Sequence, residues 1–237
     1  MGDYGNRFGL MSMQQALLEE GVQVVPGSST FTSNNSFKVP AFNTLTIELW
    51  GEGGGGGGFL TIPDGTHGSW TFKAGADGGD TTLSSLSLVA HGGKGGESDG
   101  RTGGAGGGAS GGTTNVGGGA GGNGTAPKSS ASTSGVGGTC NSLAGGAGVS
   151  ETTFASNPNS KILGGVFGTN EGGGASGDSG SSSTTFWFAS CPGGGGGGYC
   201  TRAYVYGGVV NYGDVLSFTL SNHGWSNDTS KIKFTWS

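Results

Sequence analysis

Short motifs with the residue types for catalysis or phosphate binding occur inside glycine-rich stretches of this chain. Gly177-Asp178-Ser179-Gly180 has the form of a serine-nucleophile signature, which works only with a histidine base and an aspartate on other strands. Gly51-Glu52-Gly53-Gly54-Gly55-Gly56 has the glycine spacing of a dinucleotide-binding loop. Gly93-Lys94 matches the glycine and lysine of a phosphate loop.

The sequence around each motif disagrees with that chemistry. No suitably placed His and Asp strands accompany Ser179. A dinucleotide site needs a helix directly after its glycines, whereas residues 59–65 read Phe-Leu-Thr-Ile-Pro-Asp-Gly. Gly95 stands where a phosphate loop needs Ser or Thr to hold magnesium. We therefore expect a protein that is not an enzyme and has no cofactor.

The metal-binding and thiol residues are few and scattered. Cys140, Cys191 and Cys200 are odd in number and lack the C-x-x-C spacing of a zinc site. Cys191 and Cys200 would form a disulfide if the loop between them closes, but small buried thiols are the favoured interpretation. The histidines are isolated from one another, which predicts no metal site: His67, His91 and His223.

Glycine dominates the composition, with 59 of 237 residues, against an average of roughly 7%. The runs lack the Gly-X-Y period of collagen. A chain with a net charge of −5 and so few arginines is a poor ligand for nucleic acid. Aromatic residues spread through the sequence also exclude a pure flexible linker.

Strand patterns stand at the two ends of the glycine-rich part. Residues 45–50 alternate apolar and polar side chains and place Leu45, Ile47 and Leu49 on one face. Residues 37–40, 215–220 and 231–236 are also extended in pattern. We expect the strands from both ends to pair and to close the domain.

The N-terminal residues 1–30 differ in composition and are predicted to be a separate attachment segment, with residues 31–237 as the main domain. Ser12 and Gln15 have capping-box spacing before a short helix that ends near Gly21. A helix of about nine residues is marginal alone. Its apolar stripe therefore needs a surface, on this domain or on another protein: Met13, Ala16 and Leu17.

The glycine runs between the strands have no side chains for a core, and disorder would be their default state. A stack of polyglycine II helices removes that objection, because its backbone groups pair sideways. The fold class expected is mostly β and irregular, with terminal antiparallel strands that close such a stack. The runs are Gly51–Gly58, Gly92–Gly96, Gly103–Gly112, Gly117–Gly124, Gly135–Gly138, Gly145–Gly148, Gly164–Gly168, Gly172–Gly180 and Gly193–Gly198.

The segments between the runs are predicted to be exposed loops rich in Ser, Thr and Asn, a composition typical of recognition loops. They comprise residues 59–72, 125–134, 149–163, 181–191 and 199–206. Their aromatic and arginine residues are candidates for partner contact, with packing against the array as an equal alternative. The candidates are Phe154, Phe186, Trp187, Phe188, Tyr199, Arg202, Tyr204 and Tyr206.

The two ends of residues 31–237 carry a family resemblance. Residues 37–41, Phe-Lys-Val-Pro-Ala, followed by residues 45–56, Leu-Thr-Ile-Glu-Leu-Trp-Gly-Glu-Gly-Gly-Gly-Gly, resemble the opening of glycine-rich domains of bacteriophage tail proteins. Residues 212–218 and 231–237 are similar to the closing strands of the same domains. The resemblance includes the tail-fibre tip adhesins of T-even-like phages. It implies stacked polyglycine helices and loops that recognise an outer-membrane protein or a surface glycan.

The expected function is therefore a phage receptor-binding protein at the tail-fibre tip, made in the host cytoplasm and assembled into the virion. Its N-terminal segment would bind another tail-fibre protein, without nucleic acid or membrane insertion. Two other classes stay open. One is a structural virion or appendage subunit without receptor contact, and the other is a glycine-rich ice-binding protein.

Overall fold

The computed structural model describes residues 23–61, 71–98, 101–128, 132–142, 150–151, 161–162, 173–177, 179–182, 187–221 and 230–237. This part of the chain is β-structured, with a single turn of 3-10 helix at Ser84–Leu86. The strands are β1 Gly27–Phe31, β2 Asn35–Lys38, β3 Thr44–Trp50, β4 Gly58–Thr61, β5 Thr71–Lys73, β6 Thr81–Leu83, β7 Leu88–Ala90, β8 Ala109–Ser110, β9 Thr114–Val116, β10 Thr125–Lys128, β11 Ser132–Thr133, β12 Ser150–Glu151, β13 Lys161–Ile162, β14 Ser179–Ser182, β15 Trp187–Ser190, β16 Tyr199–Val205, β17 Val215–Leu220 and β18 Lys231–Trp236.

The first sheet is five-stranded and antiparallel, in the order β1-β18-β3-β16-β9. Its central strand β3 buries Leu45, Ile47 and Leu49, as the alternation of the sequence predicts. The last strand, β18, pairs with β3 along its whole length, so that Phe234 lies opposite Ile47. The predicted pairing of the two ends of the main domain is therefore confirmed.

The second sheet is also five-stranded and antiparallel, in the order β2-β17-β6-β7-β8. Strand β17 buries every second residue, namely Leu216, Phe218 and Leu220. Its first four residues pair with β2 and its last two residues pair with β6. The strand predicted over residues 215–220 is confirmed at the same bounds.

The inner faces of the two sheets form one hydrophobic core. The Phe37 ring, from the second sheet, stacks on the Phe234 ring, from the first, with 4.2 Å between centroids. The Phe31 and Phe218 rings also meet across the sheets, tilted by 53° with 5.0 Å between centroids. The buried members are Phe37, Val39, Phe42, Leu45, Ile47, Leu49, Leu83, Leu88, Ala90, Cys200, Tyr204, Val210, Leu216, Phe218, Leu220, Ile232 and Phe234.

The register of the first sheet gives this sandwich two distinct ends. Trp50 lies opposite both Tyr199 and Lys231, and the chain continues from Trp50 into a glycine run. We call this the junction end. Leu45 lies opposite Tyr204 and Trp236 at the other end of the sheet, which we call the open end. Strand β1 begins at the open end, because Gly27 pairs with Trp236.

The glycine-rich segments lie side by side beyond the junction end, and together we call them the glycine array. Segments that leave the sandwich alternate with segments that return to it. The small sheets β4-β5, β11-β12 and β10-β15-β14-β13 join them at the opposite end, which we call the tip. The described segments of the array are 51–57, 75–79, 91–96, 103–108, 117–124, 135–139, 173–177 and 191–198.

Between neighbouring array segments, the backbone hydrogen bonds recur at every third residue. Gly51 and Gly54 donate backbone N–H groups to the carbonyls of Gly198 and Gly195, at 2.9 and 2.8 Å. The segment 191–198 lies at the centre of the array, where all its residues are buried. It bonds to six other segments, 51–57, 91–96, 103–108, 117–124, 135–139 and 173–177.

The glycines at 193–198 of the central segment have no room for a side chain. A Cβ atom on Gly193 would overlap the backbone of segment 135–139, and one on Gly194 would overlap segment 51–57. One on Gly195 would overlap segment 103–108. The same three neighbours recur in the same order for Gly196, Gly197 and Gly198. Contact with each neighbour therefore repeats every three residues, and glycine is required at each position.

We expect Gly195→Ala to lower the free energy of unfolding by about 3 kcal/mol or more, because its methyl group would overlap the Ala105 carbonyl oxygen. Gly108→Ala is the matched control, since a Cβ there has only the His91 ring within 4 Å, at 3.8 Å. That control is expected to be neutral or slightly stabilising. Urea denaturation of both variants measures the difference. Equal stabilities would contradict the packing described here.

Candidate functional site

Solvent exposure in the outer array segments also has a period of three. In segment 91–96 and the residue after it, His91, Lys94 and Glu97 are exposed, whereas their neighbours within the segment are mostly buried. Ala105 occupies an exposed position of the same kind in segment 103–108, as expected for small side chains that interrupt the runs. The other exposed third positions next to or within segments 103–108, 117–124 and 135–139 are Thr102, Gly108, Gly117, Ala120, Asn123, Val136 and Thr139. Segment 75–79 differs, because its adjacent residues Ala76 and Asp77 are both exposed. The array therefore presents regularly spaced side chains on a rigid backbone surface.

Carboxylates fill part of this surface where the array has an edge. Asp77 accepts the backbone N–H of Gly95 at 3.0 Å and the ammonium of Lys94 at 2.7 Å. Asp80, three residues later, accepts the backbone N–H of Gly92 at 2.9 Å and lies 3.0 Å from a ring nitrogen of His91. The neighbouring aspartate raises the pKa of Lys94. These side chains satisfy donors that would otherwise need a further glycine segment.

Segment 75–79 was missing from the predicted runs, because Ala76 and Asp77 interrupt its glycines. The signal that identifies it is the three-residue spacing of Gly75 and Gly78, combined with that of Asp77 and Asp80. A search for glycine at every third position, rather than for continuous glycine, would have found it.

Buried polar side chains connect the array to the sandwich. Glu52 is 2% exposed and accepts the backbone N–H of Gly79 at 2.9 Å, while its own N–H donates to the Gly79 carbonyl. The Thr81 hydroxyl donates to the Trp50 carbonyl at 2.6 Å. The Lys231 ammonium lies 4.5 Å from the centre of the Trp50 ring. These contacts fix the point at which strand β3 becomes an array segment.

Residues 199–206 were predicted to be an exposed loop, and that prediction of their conformation is wrong. Tyr199–Val205 form strand β16, which pairs with β3 along its full length. Tyr199 and Tyr204 are each 7% exposed. These residues form a strand because they pair with β3 and bury the two tyrosine rings in the sandwich. The aromatic composition alone does not reveal this pairing.

The other candidates on β16 differ in exposure. Arg202 is exposed, donates to the Gly111 carbonyl at 3.3 Å, and lies 5.2 Å from the Tyr204 ring centre. Tyr206 follows the strand, is half-buried and packs against Phe42 with ring centroids 5.8 Å apart. All four candidates from this segment therefore belong to the sandwich rather than to the tip.

The remaining aromatic candidates belong to segments at the tip. Trp187 and Phe188 lie on strand β15, where Trp187 pairs with Ser182 and Phe188 pairs with Ser181 and Lys128. Phe154 and Phe186 lie outside the described residues, as do Met13, Ala16 and Leu17 and the predicted N-terminal helix. The structure therefore separates Trp187 and Phe188 from the β16 group by the length of the array.

The predicted domain boundary falls within strand β1. Gly27–Phe31 spans residues 30 and 31 and pairs with β18 over all five residues. Residues 27–30 are thus part of the first sheet.

Titratable groups near the junction are held in their neutral forms. Burial and the hydrogen bond from the Tyr199 hydroxyl to Glu48, at 2.8 Å, raise the pKa of Tyr199 to about 12. Burial raises the pKa of the Cys200 thiol to about 11. Cys140 and Cys191 are also buried and form no disulfide within the described residues, which agrees with the favoured interpretation of the cysteines.

Neither metal-ligand clusters nor membrane-spanning helices occur within the described ranges. No three His, Cys, Asp or Glu side chains there are grouped as metal ligands. None of the helices in the same ranges has the length and apolar character needed to cross a membrane.

Comparison with known proteins gives no match. No family model, curated protein or solved structure matches this chain.

The two buried tyrosines allow a matched test of the side-chain contacts. We expect Tyr199→Phe to lower the free energy of unfolding by about 1–2 kcal/mol, because it removes the hydrogen bond to Glu48. Tyr204→Phe should be neutral or stabilising, since its buried hydroxyl has no hydrogen-bond partner among the described residues. Chemical denaturation at pH 7 measures both values. A larger loss for Tyr204→Phe would contradict this assignment.

Proposed function

We propose that this protein is a receptor-binding tip adhesin of a bacteriophage tail fibre. In this proposal the glycine array is a stack of polyglycine II helices that holds the tip segments in place. The observation that supports it best is the layout of the chain: the small two- and four-stranded sheets gather at the tip, and the first strand, β1, begins at the open end.

Three independent features of the array support the polyglycine II assignment. Hydrogen bonds, close backbone contacts and solvent exposure all repeat every third residue. That period equals the three residues per turn of the polyglycine II helix, which has no internal hydrogen bonds. Its N–H and C=O groups point sideways, in agreement with the bonds from Gly51 and Gly54 to neighbouring carbonyls.

Such an array suits recognition because it is rigid before binding. The central segment has backbone bonds to neighbours on all sides, so its position is fixed. Tip segments that start and end on such segments have restricted freedom, and little conformational entropy is lost when they bind a partner. This is the usual arrangement of binding loops on a rigid scaffold.

The proposed contact surface is the tip, with Trp187 and Phe188 as aromatic anchors of the kind that dominate binding energy. Phe154 follows β12 in the sequence and Phe186 precedes β15. Because both fall between tip strands, the proposed contact surface includes them. The proposed contact surface does not include the four candidates that belong to the sandwich, Tyr199, Arg202, Tyr204 and Tyr206. The partner would be a bacterial outer-membrane protein or a surface glycan.

The opposite end of the molecule is the proposed attachment end. Strand β1 begins at the open end, so the chain that follows residues 1–22 enters the fold at that end. In this proposal the N-terminal segment, with Met13, Ala16 and Leu17, joins the protein to another tail-fibre protein of the virion. The receptor and the fibre would then bind at opposite ends of the molecule.

Binding of the fluorescently labelled protein to a panel of bacterial strains tests this function. We expect strain-selective labelling, and we expect Trp187→Ala to weaken it at least about tenfold, as is usual for loss of an aromatic anchor. Arg202→Ala is the control from the same candidate set, and it should bind normally because Arg202 is exposed on the sandwich. Loss of labelling by the control alone would move the contact surface to the sandwich.

Absence of labelling on a broad panel would favour the structural alternative, in which the tip contacts other virion subunits. The ice-binding alternative has one specific observation in its favour. The outer array carries small uncharged side chains at regular spacing, including Ala105, Ala120 and Thr139. A thermal-hysteresis measurement distinguishes it, since an adhesin has no effect on ice growth.

A further inference from the structure

Strand β15 is the tip strand that continues directly into the central segment of the array. It ends at Ser190, and segment 191–198 begins at the next residue. It belongs to the four-stranded sheet β10-β15-β14-β13, which we call the tip sheet. Its neighbour β10 follows segment 117–124 directly, and Gly193 of the central segment donates to the Gly122 carbonyl of that segment at 2.9 Å. The tip sheet therefore extends array segments that are already bonded to each other.

Ser190 is the residue at which the strand becomes an array segment. It is 0% exposed, and it pairs with Thr125 of β10 on one side and with Ser179 of β14 on the other. Its hydroxyl oxygen accepts the backbone N–H of Thr125 at 2.8 Å. In a regular antiparallel ladder a backbone carbonyl accepts such an N–H. Here a buried side chain takes the place of that carbonyl.

An irregularity in β10 explains why a side chain is needed. The register shifts between Thr125, which lies opposite Ser190, and Lys128, which lies opposite Phe188. Three steps along β10 thus match two steps along β15. An extra residue of this kind disrupts the ladder locally and changes the direction of the strand. The Ser190 hydroxyl binds the N–H at the start of the irregular stretch and holds β10 against β15 at that point.

The two residues after the strand attach it to the array. The Cys191 carbonyl accepts the N–H of Gly135 at 3.0 Å, and the Pro192 carbonyl accepts the N–H of Gly57 at 2.8 Å. A Cβ atom on Gly96 would lie 2.7 Å from the same Pro192 carbonyl. Proline has no N–H for a strand ladder, and its fixed φ is close to that of the proposed polyglycine II conformation. Three array segments therefore surround the chain just beyond β15.

We propose that Ser190 is a positioning residue for the recognition surface, because its hydroxyl fixes β10 on β15 and thereby fixes the tip sheet on the array. Without the hydroxyl, the Thr125 N–H loses its acceptor and β10 opens locally from β15. Strand β15 itself stays attached to the array through Cys191 and Pro192. The role in recognition rests on the proposed function, whereas the attachment of the tip sheet does not.

The variant Ser190→Ala tests this role, with Ser176→Ala as the matched control. Both serines are 0% exposed, and Ser176 lies on the neighbouring segment 173–177. The Ser176 hydroxyl has no hydrogen-bond partner within the described ranges, so its removal costs no bond there. Two readouts are taken on the full-length proteins. One is amide hydrogen exchange resolved by segment, and the other is labelling of the strain panel.

We expect Ser190→Ala to speed amide exchange in β10 and β15 at least about tenfold, as for the loss of one buried hydrogen bond. Exchange in residues 193–198 and in strand β3 should keep its wild-type rate. Labelling of a susceptible strain should weaken about tenfold, because the loosened strands must be ordered on binding. The control Ser176→Ala should match the wild type in both readouts.

Unchanged exchange in β10 and β15 would overturn the proposal. An equal acceleration in the sandwich would also overturn it, because Ser190 would then contribute only to global stability. A loosened tip sheet with wild-type labelling would remove the link to recognition. Absence of labelling by the wild type would count against the adhesin function alone, since amide exchange still measures the attachment of the tip sheet.

Discussion

The structure depends on the sideways hydrogen bond between extended glycine segments that have no Cβ atoms. Around the central segment 191–198, N–H and carbonyl groups meet partners on six neighbouring segments. The approach is close enough that a single methyl group on Gly193–Gly198 would overlap a neighbouring backbone. The high glycine content is therefore a packing requirement, in the same sense that apolar residues are required in a hydrophobic core.

This form of packing is weak by itself, which explains why the sandwich is present. Ordering glycine costs more backbone entropy than ordering any other residue, while each hydrogen bond contributes only about 0.5–1.5 kcal/mol net. The two five-stranded sheets add a conventional core, including the stacked rings of Phe37 and Phe234. Strand β3 continues directly into segment 51–57, and segment 191–198 continues directly into strand β16. The register of the two strands therefore also sets the register of the two array segments. Glu52 and Thr81 fix this transition with buried hydrogen bonds.

Sequence patterns predicted the parts of the fold where side-chain alternation is regular. Strands β3, β17 and β18 were found because each buries every second residue. Strand β16 was missed because its burial pattern is irregular, with Tyr199 and Cys200 both buried, and its conformation follows from pairing with β3. Segment 75–79 was missed because its outward Asp77 disguises the glycine spacing. The division of the aromatic candidates between tip and sandwich depends on long-range pairing, which local sequence does not contain.

The array separates positions that must stay fixed from positions that are free to vary. An inner position such as Gly195 packs directly against the backbone of segment 103–108, so any side chain there would overlap that segment. An outer third position such as Ala105 or Ala120 faces solvent, and its side chain is not constrained by the packing. Strands β4 and β5 lie between array segments 51–57 and 75–79, and strands β14 and β15 lie between segments 173–177 and 191–198. The length and sequence of such a tip segment can therefore change without altering a hydrogen bond inside the array, which is the property that a recognition surface on a fixed scaffold requires.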